Sequence, residues 1–450
     1  MAKNIKISPS RVSAYKVLSE VLMTGAYSNI ALTKHLASIK IEADRRLCTN
    51  IVHGVIKKIN KLEYVLSTLS NTPVNELDER VKISLYIGLY QIIYLNKIPE
   101  YAIVNDSVNL VKMFVGKKAS GFVNGILRNA LRKKHELKEI EFSDFFDIMY
   151  YEYGFKRALS EKLLLSYSKE ELIEYAKYSI LPPNVTLRVN KLKTNREELK
   201  NRFKEKGFEV RDTFVPEGIE VLSHLNVTLL EEYKKGLFSI QDCAGMVVAH
   251  SLDVKEDMKV LDMCAAPGGK SMHTSELMNN SGDIVSCDIY TKKLEIMNFR
   301  MKQLGINNIM TKKLDGTIFN ECYMNTFDRI ICDVPCSGLG VIRRKPEILI
   351  YYSNEKIEEL KKVQRQILEN GIRYLKKGGV LIYSTCTINK EENEDIVYSI
   401  LKEHEDIKLN EINLPFEFDY DKAKAKEGIL NISGDKNNID SFFIAKLTKI

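Results

Sequence analysis

Two cysteines stand at the ends of apolar runs, Cys336 in Asp333–Gly338 (DVPCSG) and Cys386 in Tyr383–Asn393 (YSTCTINKEEN). Thiols in such places, with the Asp333 carboxylate close by, suit chemistry on a pyrimidine. Carbon-5 of cytosine is a poor nucleophile until a thiolate adds to carbon-6, which makes the ring an enamine able to attack an electrophilic methyl group. A base must then take the carbon-5 proton so that the thiol can leave. The reaction needs a nucleophilic Cys, a carboxylate for the ring nitrogen and amine, and a second proton-handling group. Asp333, Cys336 and Cys386 supply all three, and Lys270 could lower a thiol pKa or bind the base. Spacing alone does not rank the two thiols.

Upstream, the apolar run KVLDMCA leads into APGGKS. The segment Cys264, Ala265, Ala266, Pro267, Gly268, Gly269, Lys270 makes a tight turn where a ligand can approach the backbone and the next helix presents its amides. A phosphate-cradling loop of the G-x-x-x-x-G-K type fails, because Cys264 stands where the first glycine belongs, and no G-x-G-x-x-G follows. The next strand ends at Asp288, about 20 residues past the glycines, where a carboxylate can take both hydroxyls of a ribose. The third connection ends in LDG, with Asp315 placed to accept from an adenine amine. A nucleoside without a pyrophosphate, held by carboxylates, fits S-adenosylmethionine better than NAD or ATP.

The elements that must hold these residues follow from periodicity. Residues 1–138 read as a helical bundle: in RVSAYKVLSEVLMTG the apolar Val12, Tyr15, Leu18, Val21 and Leu22 share one face and Gly25 ends the run. Similar segments recur near 42–60, 78–95, 101–115 and 119–134. Residues 139–182 continue helical as a linker, with Phe142, Phe145, Phe146, Tyr150, Tyr151 and Tyr153 as packing, until Pro182-Pro183 breaks the pattern. Residues 183–235 alternate strand and helix (NVTLRVN, REELKNRFKEKG, FEVRDTF) and form a small α+β insert. From 236 to 450, strands at 259–265, 283–289, 327–334, 379–386 and 441–447 alternate with helices, which predicts a mostly parallel sheet covered on both faces. Ligands of such sheets bind at the carboxyl ends of the strands.

The motifs DMCAAPGGKS, DIYTKKL, KKLDGT, DVPCSGLGVIRRKPEI and YSTCTINKEEN together resemble the RNA cytosine-carbon-5 methyltransferases of the NOL1/NOP2/Sun family, over most of residues 236–450. The resemblance implies a Rossmann-like class I methyltransferase domain preceded by an RRM-like insert, and the helical N-terminus looks like a NusB-type RNA-binding domain. That pairing is similar to bacterial enzymes that modify a cytosine of 16S ribosomal RNA. By the resemblance, Cys264 to Lys270 line the methionine part of S-adenosylmethionine, Asp288 holds the ribose, Asp315 sits at the adenine and Asp333 lies between cofactor and base. Cys386 is then the nucleophile and Cys336 assists release of product. DNA cytosine methyltransferases instead attack from their P-C cysteine. The insert lacks an aromatic RNP signature, so its expected role is shaping an RNA channel with Arg343, Arg344 and Lys345 on phosphates. The target cytosine must be unpaired or flipped out.

Bulk properties agree with this picture. At 450 residues the chain is long enough for two or three domains, and no apolar run is long enough to span a bilayer. The N-terminus MAKNIKISPSR lacks an apolar signal region, so a cytoplasmic protein with reduced thiols is expected. Cys48, Cys243, Cys264, Cys287, Cys322 and Cys332 read as core residues. Cys332 and Cys336 have no His at ligand spacing, so no metal is expected. Residues 1–138 carry 22 Lys and Arg against 10 Asp and Glu, while the remainder sums to −5. A basic module on a mildly acidic body suits a nucleic-acid partner. The expected partner is small-subunit ribosomal RNA, naked or in an early assembly, bound by a monomer with no membrane. The same chemistry on transfer RNA or another ribosomal RNA is the alternative. A non-catalytic RNA-binding or antitermination factor is the reading from another class, and retention of both Cys336 and Cys386 counts against it.

Overall fold

The computed structural model describes residues 7–223 and 226–450. The start of the N-terminal segment, on which the absence of a signal sequence was judged, lies outside the described residues. The chain divides into two compact units, one of residues 1–181 with 342–352 and one of 182–341 with 353–450.

The first unit is helical. Its main helices are α1 (Pro9–Thr24), α2 (Ser28–Leu36), α3 (Glu42–Leu69), α4 (Glu79–Tyr94), α5 (Glu100–Phe114), α6 (Ser120–Arg132) and α7 (Lys169–Ser179). Gly25, at φ +75°, ends α1 in the left-handed cap that a glycine permits. Leu18, Val21, Ile51, Val55, Leu62, Ile83, Ile87 and Leu127 form one buried core. Residues 139–181 pack within this unit. Asn60 donates to the Tyr150 carbonyl at 3.1 Å, and Lys58 and Lys61 both pair with Glu152. Phe142 stacks on Tyr151 with centroids 4.5 Å apart, as the packing expectation required.

Residues 342–352 belong to this unit too. Glu347 is fully buried and accepts from the Ser28 amide (2.9 Å) and hydroxyl (2.8 Å). Arg343, expected on phosphates, is 5% exposed; its guanidinium lies 4.2 Å from the Tyr178 ring centroid and donates to the Tyr178 hydroxyl. Aromatic stacking outcompetes solvent here, because a guanidinium is weakly hydrated and planar. Lys345 lies over the Tyr27 ring at 5.5 Å.

The second unit holds two sheets. The smaller is antiparallel with order β2-β3-β1-β4, from β1 (Val185–Val189), β2 (Val210–Asp212), β3 (Gly218–Val221) and β4 (Phe238–Ile240), with α8 (Arg196–Glu205) against it. Asn195 caps α8 by accepting from the Glu198 amide at 2.9 Å.

The larger sheet has the order β10-β12-β9-β8-β5-β6-β7, with β11 pairing β12. Its strands are β5 (Lys259–Asp262), β6 (Asp283–Asp288), β7 (Ile309–Lys313), β8 (Phe327–Asp333), β9 (Leu375–Thr385), β10 (Ile407–Leu409), β11 (Ile429–Ile432) and β12 (Phe442–Lys449). β7, β6, β5, β8 and β9 run parallel, and β10, β11 and β12 pair antiparallel. The helices between them are α9 (Cys243–Ser251, before β5), α10 (Gly269–Leu277), α11 (Thr291–Leu304), α12 (Asn354–Tyr374) and α13 (Glu394–Glu403). β5 lies between β6 and β8, the point where strand order reverses and a crevice opens at the carboxyl ends. Among the described residues, no helix is long and apolar enough to cross a membrane. Cys322 departs from the core expectation. It is exposed, because it sits in the short turn Glu321–Tyr323 before β8 and not in an apolar strand.

Candidate active site

The pairing of β8 with β9 creates the site. Asp333 lies opposite Ser384 in parallel register, so the loops that leave both strands emerge side by side. Cys336 and Cys386 then meet with their sulfurs 3.2 Å apart. The hydrogen bond to Cys386, and burial after it, push the Cys336 thiol well above its ordinary pKa. The two sulfurs are within hydrogen-bonding reach of each other, and either can be the donor.

Glu392 fixes the two loops to each other. Fully buried, it accepts from the Ser337 amide (2.8 Å) and hydroxyl (2.5 Å), from Gln364 (3.0 Å) and from Asn389 (3.0 Å). Gln364, on α12, also donates to the Pro335 carbonyl at 2.9 Å. Gly340 donates its amide to the Cys386 carbonyl at 2.8 Å. A Cβ there would stand 2.2 Å from the Ser441 carbonyl oxygen, so only glycine allows the approach.

Beside the thiols, Lys270 pairs with Asp333 at 2.5 Å, and the Ser384 hydroxyl donates to the other Asp333 oxygen at 2.9 Å. Burial opposes the Lys270 charge, but Asp333, followed by Cys386 and Asp262, outweighs it and keeps the pKa raised. The ammonium stays positive next to the sulfur pair. The carboxylate and thiols singled out from the sequence are thus brought together with Lys270.

The glycine-rich loop follows β5. Gly268 takes φ +100°, and a Cβ on it would meet Met297 and Met272 at 2.7 and 2.8 Å. The Ala265 amide donates to the Cys287 carbonyl at 2.8 Å, which ties the loop to β6. Asp288, at the end of β6, is buried and accepts from the Tyr290 amide at 2.9 Å. Asp315 is exposed after β7 and accepts from the Thr317 amide (2.9 Å) and hydroxyl (2.6 Å). The donor set fits a nucleoside without phosphates. Carboxylates stand at neighbouring strand ends, and the one lysine of the loop is engaged by Asp333.

Asp262 went unnoticed in the sequence. It lies 1% exposed under the loop and accepts from the Ser271 hydroxyl at 2.6 Å. Burial pushes its carboxyl up to about 7, against the Ser271 bond. The signal was an acid closing an apolar strand, the same sign that singled out Asp288. Glu392 carried no comparable signal among the acids of NKEEN.

Residues 249–448 match the family model "16S rRNA methyltransferase RsmB/F", 8–132 the NusB family and 159–228 the ferredoxin-like domain of RsmF/B-like methyltransferases. The chain is 33% identical to "Probable ribosomal RNA small subunit methyltransferase B" of Bacillus subtilis (strain 168), over 99% of this chain and all of that one. The chain belongs to the RsmB/F methyltransferase family. Among solved structures, PH0851 superposes with a TM-score of 0.82 over 99% of this chain and all of that one, at 24% identity, and so shares the fold. NSun6 from Pyrococcus horikoshii, crystallised with SFG, superposes with a TM-score of 0.60 over 66% of this chain and 99% of that one, at 25% identity. The NusB-type helical domain, the small α+β domain and the Rossmann-like methyltransferase domain expected from the sequence are all present.

Proposed function

We propose that this member of the family methylates carbon-5 of a cytosine in 16S ribosomal RNA through a covalent adduct on Cys386. The observation that carries the reading is the 3.2 Å approach of Cys336 to Cys386, next to the Lys270–Asp333 pair. Methylation of an exocyclic amine has no use for two thiols in contact. Carbon-5 chemistry needs one that attacks and a group that helps it leave.

S-adenosylmethionine, when bound, supplies the electrophilic methyl group. Cys264 to Lys270 and Asp288 would hold its methionine and ribose, and Asp315 its adenine. SFG, an S-adenosylmethionine analogue, in the related NSun6 structure supports this choice. Cys386 forms the bond to carbon-6. Asp333 orients the ring nitrogen and amine. Cys336, 3.2 Å from the Cys386 sulfur, is placed to take the carbon-5 proton, whose bonding electrons restore the 5,6 double bond and expel that sulfur. The division of labour follows the family resemblance, in which the T-C cysteine attacks, and it is supported by the contact of both thiols beside the Lys270–Asp333 pair. The basic helical domain would supply phosphate contacts to the RNA.

The test is transfer of a labelled methyl group from S-adenosylmethionine to protein-free 16S ribosomal RNA, followed by nucleoside analysis and bisulfite mapping. Label in 5-methylcytidine at one site is expected. Label on a ribose, on an exocyclic amine, or only in transfer RNA would overturn the assignment.

A further inference from the structure

The small sheet grips the helices that follow both cofactor strands. Arg188, on β1, is fully buried. Its guanidinium donates to the Gly269 carbonyl at 2.8 Å, to both Glu276 oxygens at 2.8 and 3.1 Å, and to Gln241. One residue past the end of β1, Asn190 is also fully buried. It donates to the carbonyls of Leu304 and Gly236, each at 2.8 Å. Arg188 thus holds α10, the helix after the glycine-rich loop, and Asn190 holds the last turn of α11, the helix after Asp288.

A second tie reaches α10 from the turn before β3. Glu217, 2% exposed, accepts through one oxygen from His250 of α9 at 2.8 Å and from the fully buried His273 of α10. These three residues bring possible ligand atoms within 4.8 Å of one another, as a metal site would. Nδ1 of His273, however, is buried with no hydrogen-bond partner. Coordination through Nε2 would leave an unsatisfied N–H at Nδ1, whereas donation from Nε2 to Glu217 leaves only a bare lone pair there. The cluster is a hydrogen-bonded tie.

Gly269, His273 and Glu276 fall at i, i+4 and i+7, along one stripe of α10. Lys270 and Ser271 lie on the other sides of the helix, where they reach Asp333 and Asp262. A fully buried Arg–Glu pair contributes little net stability, because desolvation offsets its Coulombic gain, but it defines position strictly.

We infer that this small domain is the clamp that sets the cofactor loop and Lys270, with Arg188 as its positioning residue. The inference rests on the cofactor reading above and gives the insert a role other than contacting RNA. Arg188→Lys keeps the positive charge but cannot serve Glu276 and Gly269 together. In the full-length protein, hydrogen exchange should accelerate about tenfold in residues 268–277, with β8 and β9 unchanged, and the Kd for S-adenosylmethionine should rise about tenfold, the equivalent of one hydrogen bond. If Arg188→Lys does not fold, Asn190→Ala tests the second hold, with exchange expected to accelerate at the end of α11 around Leu304, and unchanged exchange there overturning the clamp. Exchange that stays unchanged in 268–277, or rises uniformly across the domain, overturns the clamp. Locally faster exchange in a protein whose wild type binds no S-adenosylmethionine overturns the cofactor reading and the role built on it, while leaving the contact standing.

Discussion

Asp333 on β8 lies opposite Ser384 on β9, and this single register match brings Cys336 within 3.2 Å of Cys386, fifty residues further along the chain. A slip of one residue would turn each side chain to the other face of the sheet and separate the thiols. The buried Glu392 network then holds both loops in place.

The two sulfurs should separate cleanly by mutation. Cys386→Ala is expected to abolish both methyl transfer and covalent capture of RNA. Cys336→Ala should retain attack but stall release, leaving a protein–RNA adduct that survives denaturing electrophoresis. An adduct formed by the Cys386 variant and not by the Cys336 variant would reverse the roles.

Lys270 is held charged by Asp333 beside the sulfur pair. Lys270→Met should lower kcat by about 10²–10⁴-fold, the range for loss of one proton-handling or charge-stabilising group. Single-turnover methyl transfer on saturating RNA measures this, and a kcat within threefold of wild type would remove Lys270 from the chemistry.

Stability should fall with acid through His273. Burial, opposed by Glu217, holds its folded pKa down to about 3, below the ordinary histidine value. Its contribution is complete above the unfolded pKa near 6.5 and is lost as pH falls towards about 3, with a slope of about 1.4 kcal/mol per pH unit for one proton. Urea midpoints at pH 7.5 and 5 should differ, and His273→Gln should shrink that difference. An unchanged difference would show that other groups carry the acid sensitivity.

Arg343 is a structural residue of the helical unit, stacked on Tyr178. Arg343→Ala should lower the melting temperature through loss of a desolvated cation–π contact of about 2 kcal/mol. The slope of log Kd against log salt for RNA should stay the same. A slope reduced by about one would mean that the guanidinium contacts a phosphate after all.

Much of the fold was legible because its signals are local. The apolar runs became β5, β6, β8, β9 and β12, and the stripe Val12–Leu18–Val21 became α1. β7, sequence IMTKK, was not singled out, since as an edge strand it exposes Met310, Lys312 and Lys313 and shows no buried alternation. The short β10 and β11 gave too few residues for a period. Nothing in RRKPEI marked residues 342–352 as part of the helical unit, because the pairing of Ser28 with Glu347 joins residues far apart in the chain.

What the sequence determined by itself was the set of reactive groups, namely two thiols, the acids at strand ends and a glycine-rich loop that excludes a phosphate cradle. It also determined the helices and most of the strands, because residue type and periodicity act over a few residues. Only the tertiary structure decided that Cys336 touches Cys386, that Glu392 joins their loops, that Asp262 is buried beneath the glycine-rich turn, and that Arg188 reaches Gly269 and Glu276. Each of these depends on parallel-strand register or on packing between distant segments. Such contacts are fixed by burial and hydrogen-bond satisfaction across the whole domain, which no short stretch of sequence encodes.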